Sequence, residues 1–251
     1  MMKKLICLFL SLISISPLTF GQDTEKEDIV RKKYRATRIE TSPDIDGILS
    51  EELWNTGVWE NEFIQIRPYD GRPSKQRTEF KVLFDDNNLY VAIKCFDTSP
   101  DSIVNRLTRR DETDGDLAGI IIDSFHDLRT AFVFGLSSAG VKSDFLMSND
   151  GFDENHSWDP NWWARTSVND EGWIAEMKIP FSQLRFDKNS GDVWGFNVAR
   201  ILYRHDEQSF WQAIPRDAPG FVHRMGELYG LDEIRPRKIF DITPYGVAQA
   251  E

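Results

Sequence analysis

Apolar residues recur at every second position over much of the chain. In "TEFKVLFDDNNLYVAIKCFD" they fall at Phe80, Val82 and Phe84, stop at "DDNN", and resume at Leu89, Val91, Ile93 and Cys95. A period of two puts one set of side chains on one face of a strand, so this stretch predicts a β-hairpin with one buried face. "TAFVFGLSSAGVKSDF" repeats the pattern with Phe132, Phe134 and Leu136, and breaks at "SSAG". "GWIAEMKIPF" sets Trp173, Ala175, Met177 and Ile179 opposite Ile174, Glu176 and Lys178; Pro180 ends it, since proline lacks the ladder donor. "LAGIIID" is instead a short, nearly continuous run, as expected for a strand covered on both faces. "DVWGFNVARI" and "QSFWQAI" add two more strands. Helix is scarce: "SEELW", with Ser50 as its N-cap, and one turn at "PFSQL". Many short strands divided by turns predict an all-β fold, a two-sheet antiparallel β-sandwich of jelly-roll type with one or two short helices.

The stretch "SWDPNWWART" holds three tryptophans. If the chain after Pro160 is a strand, alternation puts Trp162, Ala164, Thr166 and Val168 on the core side and Trp163, Arg165 and Ser167 on the other. Displayed, Trp163 beside Arg165 would form a surface on which a sugar ring could stack. The sequence leaves open whether Trp163, and Trp158 in the preceding loop, are displayed or lie beneath a neighbouring segment.

The ends of the chain change the setting. Residues 1–21 begin with two lysines, continue through the apolar run "LICLFLSLISIS" and end in "PLTFG", which predicts a signal peptide cut before Gln22. Cys7 lies too early in that run for a lipid anchor, and Cys95 alone would remain, so no internal disulfide is expected. Residues 22–38 read as a disordered tail and linker, with "RKKYRATR" as a solvated edge. Residues 39–234 read as the sandwich, and 235–251 as a linker and the start of a following barrel-like domain. The protein is therefore expected in the periplasm, at the outer membrane or on the cell surface. A formal charge of −11 disfavours nucleic acid and anionic lipid as partners.

Two acidic runs supply candidate metal ligands: Asp111, Asp114 and Asp116 in "RRDETDGD", and Asp150 and Asp153 in "NDGFDENHSWD". Oxygen-rich glycine turns suit Ca²⁺, although neither run has EF-hand spacing and solvated loops give the same pattern. Nothing fixes a pair of carboxylates at glycosidase separation, and no C-x-x-C-H haem motif, zinc spacing or phosphate loop is present.

Five segments in order, "DIDGILSEELW", "VLFDDNNLYVAIKCFD", "DEGWIAEMKIPFSQL", "WGFNVAR" and "MGELYGL", resemble the family 9 carbohydrate-binding modules, over Ile39 to Ile234. The resemblance implies a non-catalytic β-sandwich from secreted glycan-degrading proteins, holding sugar chains between two tryptophans and often containing structural calcium. "RRDETDGDLAGIIIDSFHDLRTAFVFGLSSAG", "SWDPNWWARTS" and "KIFDITPYGV" are similar to a Bacteroidetes-type subgroup in which such a module precedes an outer-membrane β-barrel. This chain departs from the sugar-clamping pattern. The clamp positions fall at Thr113 and Pro219, and the polar sugar contacts fall near Gly119, Val133 and Gly135. A rebuilt carbohydrate site is therefore expected from Trp163, Arg165, Trp158 and Phe221. The implied function is an exported polysaccharide- or oligosaccharide-binding domain serving glycan capture or catabolism at the cell envelope. The alternative is a structural head that packs on its own barrel and binds no sugar.

Overall fold

The computed structural model describes residues 29–186, 193–231 and 234. The proposed signal peptide and the barrel-like end lie outside them. By internal contacts the chain divides into a short unit through Val30 and a larger one from Arg31, and the larger unit holds every strand described.

Among the described residues fourteen strands form it: β1 (Lys33–Arg35), β2 (Thr37–Arg38), β3 (Ile64–Arg67), β4 (Thr78–Phe84), β5 (Asn88–Phe96), β6 (Leu117–Asp123), β7 (Ala131–Ser137), β8 (Lys142–Ser148), β9 (Asp153–Asn155), β10 (Trp163–Asn169), β11 (Gly172–Pro180), β12 (Val193–Leu202), β13 (Glu207–Phe210) and β14 (Gly226–Tyr229). The larger sheet runs β1-β14-β12-β6-β7-β8-β9, with β13 also on β12 and β3 on β13. The smaller runs β10-β11-β5-β4-β2. The all-β sandwich is as expected, but its sheets are mixed: β1 pairs parallel with β14, and β2 parallel with β4. "RKKYRATR" supplies one edge strand of each sheet, with Tyr34 and Ala36 buried. Alternation cannot reveal such pairings, because it assigns faces and not neighbours.

The β4–β5 hairpin has the register its alternation requires, with Phe80 opposite Ile93 and Val82 opposite Val91. Their side chains meet Ile120, Ile122, Phe134, Leu136, Phe196 and Val198 of the other sheet in one core. "LAGIIID" is the central strand β6, flanked by β12 and β7. At one end of the sandwich buried Arg200 donates to the carbonyls of Arg77 and Phe96 and to Thr78 Oγ1, at 2.8–3.0 Å, tying β12 to the smaller sheet. The predicted helix at "SEELW" is a 3₁₀ turn, Glu52–Asn55, capped at Glu51 without a side-chain bond, so Ser50 is not its N-cap. The turn at "PFSQL" is present as Phe181–Gln183.

The two outer faces differ. The segment from Ile39 to Trp59 lies over the smaller sheet, where Trp54 is packed with Leu83, Tyr90 and Ala92. Among the described residues, the corresponding face of the larger sheet is covered only at its β13 side, by residues around Ile214, Val222 and Met225.

Candidate functional site

That uncovered face is a trench. Cross-strand register aligns Phe210, Ala199, Gly119, Gly135 and Ser143 in one row across β13, β12, β6, β7 and β8. The last four are small, so the row is low, and from Ala199 to Ser143 it runs about 14 Å at ~4.8 Å between neighbouring strands. One wall is Ile201 and Leu117; the other is Ile121, Val133 and Phe145, with Met147 beyond. Phe210 and Phe221, with ring centres 5.3 Å apart, close the β13 end. The cavity is about 390 Å³.

Gly119 is glycine for packing reasons, since a Cβ there would lie 2.5 Å from the carbonyl oxygen of Phe134. Gly135 is less crowded, although a Cβ there would still make a tight contact, 3.3 Å from the Ser143 carbonyl oxygen. Its missing side chain both keeps the trench floor low and spares the neighbouring β8 backbone a tight contact. Polar groups are few: Thr113, Ser143, Gln208 and Glu154. Gln208 accepts from Arg67 Nη2 at 2.7 Å, and Glu154 faces His156 Nε2 at 3.2 Å. The His156 ring in turn packs 4.8 Å from that of Phe145.

The expected carbohydrate residues do not converge. Phe221 lines the trench. Trp163 and Arg165 are exposed on the outer face of β10, in the other sheet, whereas Trp162 is buried and donates Nε1 to Asp144 Oδ2 at 3.0 Å. Ala164 is buried as expected, but Val168 is 44% exposed: the core no longer reaches the far end of β10. Trp158 is half-buried against Phe132 and Phe134, at 5.1 and 5.5 Å, and fills an edge of the core. Of the inherited clamp positions, Thr113 lines the trench, and Pro219 is an exposed residue of the loop leading to Phe221.

Four of the five candidate metal ligands have separate partners. Asp111 Oδ1 accepts from the Asp144 amide at 2.9 Å, and Asp114 pairs with Arg106 at 2.7 Å. Asp116 is fully buried on the Val104 amide, and burial raises its pKa. Asp153 is exposed on β9. Asp150 Oδ2 lies 2.6 Å from His223 Nδ1, and its Oδ1 accepts from the amides of Phe221 and His223. Gly220, at φ +77°, passes so close to that carboxylate that a Cβ would overlap it. Asp150 thus positions Phe221 at the trench. Among the described residues, no group of three or more His, Cys, Asp or Glu side chains is arranged to hold a metal ion.

Sequence reasoning missed Phe145, Met147, Phe210 and Gln208. Phe145 and Met147 were visible as apolar residues at alternate positions in "KSDFLMS", opposite the set directed at the core. Apolar side chains on both faces of a strand at the margin of a sheet are the signal that would have found them.

A family model described as carbohydrate family 9 binding domain-like matches residues 45–212. The fold is similar to a family 9 carbohydrate-binding module from Caldicellulosiruptor kristjanssonii, solved with glucose and with cellotriose. The TM-scores are 0.57 and 0.58 at 18% identity, over 85% of this chain and 100% of that one. It is also similar to a candidate carbohydrate-binding protein from Bacteroides uniformis ATCC 8492, with TM-score 0.61 and 13% identity over 80% of this chain and 99% of that one. Identities this low speak for the fold alone. No curated protein matches significantly.

Proposed function

This chain belongs to the carbohydrate family 9 binding domain-like family, and from that premise we propose that it is an exported, non-catalytic module that captures saccharide at the cell envelope, with its ligand in the trench of the larger sheet. The observation that carries this reading is the trench itself, an open apolar channel floored by Ala199, Gly119, Gly135 and Ser143 with four polar side chains along it. A pyranose presents apolar CH faces and a rim of hydroxyls, so it needs broad apolar contact and a few polar partners. Phe221, Phe145 and Met147 offer the first; Thr113, Ser143 and Gln208 offer the second. The glucose and cellotriose complexes of the Caldicellulosiruptor module support saccharide as the ligand class. Export rests on the signal-like pattern of residues 1–21.

Titration calorimetry of the purified protein against cellotriose and a panel of neutral plant and bacterial oligosaccharides tests the reading. Gly135→Leu, which fills the trench and deletes no functional group, should weaken binding of the panel's ligand at least tenfold while the protein stays folded. Binding to no member of the panel, or binding unchanged in Gly135→Leu, would overturn it.

A further inference from the structure

A second feature lies on the other sheet. Trp163 and Lys178 are directly opposed across β10 and β11, and Arg165 follows two residues along β10 on the same outward face. Opposed residues have Cβ atoms about 5 Å apart and alternate residues of a strand lie about 7 Å apart, so the three share a footprint close to one sugar ring. The indole is 54% exposed, with Lys178 Nζ 5.9 Å from its ring centre. Arg165 spends Nη1 on the Ala164 carbonyl, and among the described residues the other edge of its guanidinium fork makes no hydrogen bond.

Elsewhere in the chain arginines are paired. Arg106, Arg110 and Arg204 each hold a carboxylate within 2.8 Å. Among the described residues no carboxylate lies within ion-pairing distance of Arg165 or Lys178, although the chain's formal charge is −11. Nearby acids are turned elsewhere. Glu176, opposite Arg165, is buried and accepts from the amides of Asp46 and Gly47; Asp85 accepts from Tyr90, the residue on the far side of Lys178. The residues lining the trench include no lysine or arginine.

We infer that Trp163, Arg165 and Lys178 form a second ligand site, for a pyranose that carries an anionic group, carboxylate or sulfate. The indole supplies the stacking face, and the guanidinium fork and the ammonium pair with the anion. A platform for neutral sugar would require neither cation. The inference rests on saccharide as the ligand class but places this ligand on a face separate from the trench, so the two readings fail independently.

The test is calorimetry of the purified protein with oligogalacturonate, its methyl ester and a sulfated galactan oligosaccharide, in low and high salt. At least one of the two anionic ligands should bind at least tenfold more tightly than the methyl ester, and more weakly in high salt. Trp163→Ala, and the pair Arg165→Gln with Lys178→Gln, should each weaken that binding about tenfold or more, while Gly135→Leu leaves it unchanged. Trp163 and Arg165 are exposed, Lys178 is half-buried and Gly135 is buried, so circular dichroism and urea unfolding check that each variant folds. The relative affinity for carboxylate and sulfate identifies the anion. Equal binding of acid and ester, failure of both anionic ligands to bind, or anionic binding lost in Gly135→Leu and retained in Trp163→Ala would overturn the inference.

Discussion

The outer faces of the two sheets follow the same alternation and have opposite fates. On the smaller sheet, outward residues such as Leu83, Tyr90 and Ala92 are roofed by Trp54 and the chain from Ile39 to Trp59. Trp163 and Arg165, on edge strand β10, remain exposed. On the larger sheet, outward residues such as Val133, Phe145 and Met147 line an open channel, deep because Gly135 and Ala199 carry little or no side chain. An outward apolar residue is therefore ambiguous by itself. Whether it becomes core or binding surface depends on which segment of the chain crosses above it.

The largest break in this comparison is to remove the roof. Trp54→Ala deletes a large buried ring and should lower stability by about 3–5 kcal/mol in urea unfolding. The fraction still folded should bind trench ligands with unchanged affinity; lost affinity would mean that the two faces are coupled.

A smaller effect comes from Glu176, the carboxylate beneath the roof. Burial pushes its pKa up to about 7, against the opposing hydrogen bond from the Gly47 amide and with the charge of Glu51 adding to the rise. The folded state therefore keeps a proton that the unfolded chain gives up near pH 4.5. This contribution is fully present below that pH and is lost as pH rises through about 7. The stability difference between wild type and Glu176→Gln should drift in favour of the variant by about 3 kcal/mol between about pH 4.5 and 8. The glutamine oxygen still accepts from Asp46 and Gly47. An identical pH slope in both proteins would show that Glu176 is not held in this way.

The smallest effect sharpens the contrast. Trp163→Ala removes an exposed ring with no roof, and its unfolding free energy should change by about 0.5 kcal/mol or less. A loss of several kcal/mol would show that Trp163 is structural.

Much of the sandwich was legible in the sequence because the β4–β5 hairpin, β6 and β11 are patterned at a period of two or as continuous apolar runs. The division of Trp162 from Trp163 came from the same rule. Two kinds of fact were not legible. The parallel pairing of β1 with β14 joins opposite ends of the described chain, and no local pattern encodes it. The trench requires lateral register across five strands, so Gly135 could not be seen lying between Gly119 and Ser143. The acidic runs illustrate the converse, since neighbours in sequence such as Asp114 and Asp116 turn to different partners, Arg106 and the Val104 amide. Asp150, grouped with them by composition, instead holds the loop that presents Phe221.

The most direct test of the trench as the saccharide site is a ¹H–¹⁵N amide titration of the isotope-labelled protein with cellotriose, or with whichever neutral oligosaccharide of the panel binds. Shifts concentrated at Gly135, Ser143, Ala199, Gln208 and Phe221, with β10 silent, are the predicted result. Shifts centred on Trp163 and Arg165, with the trench silent, would contradict it.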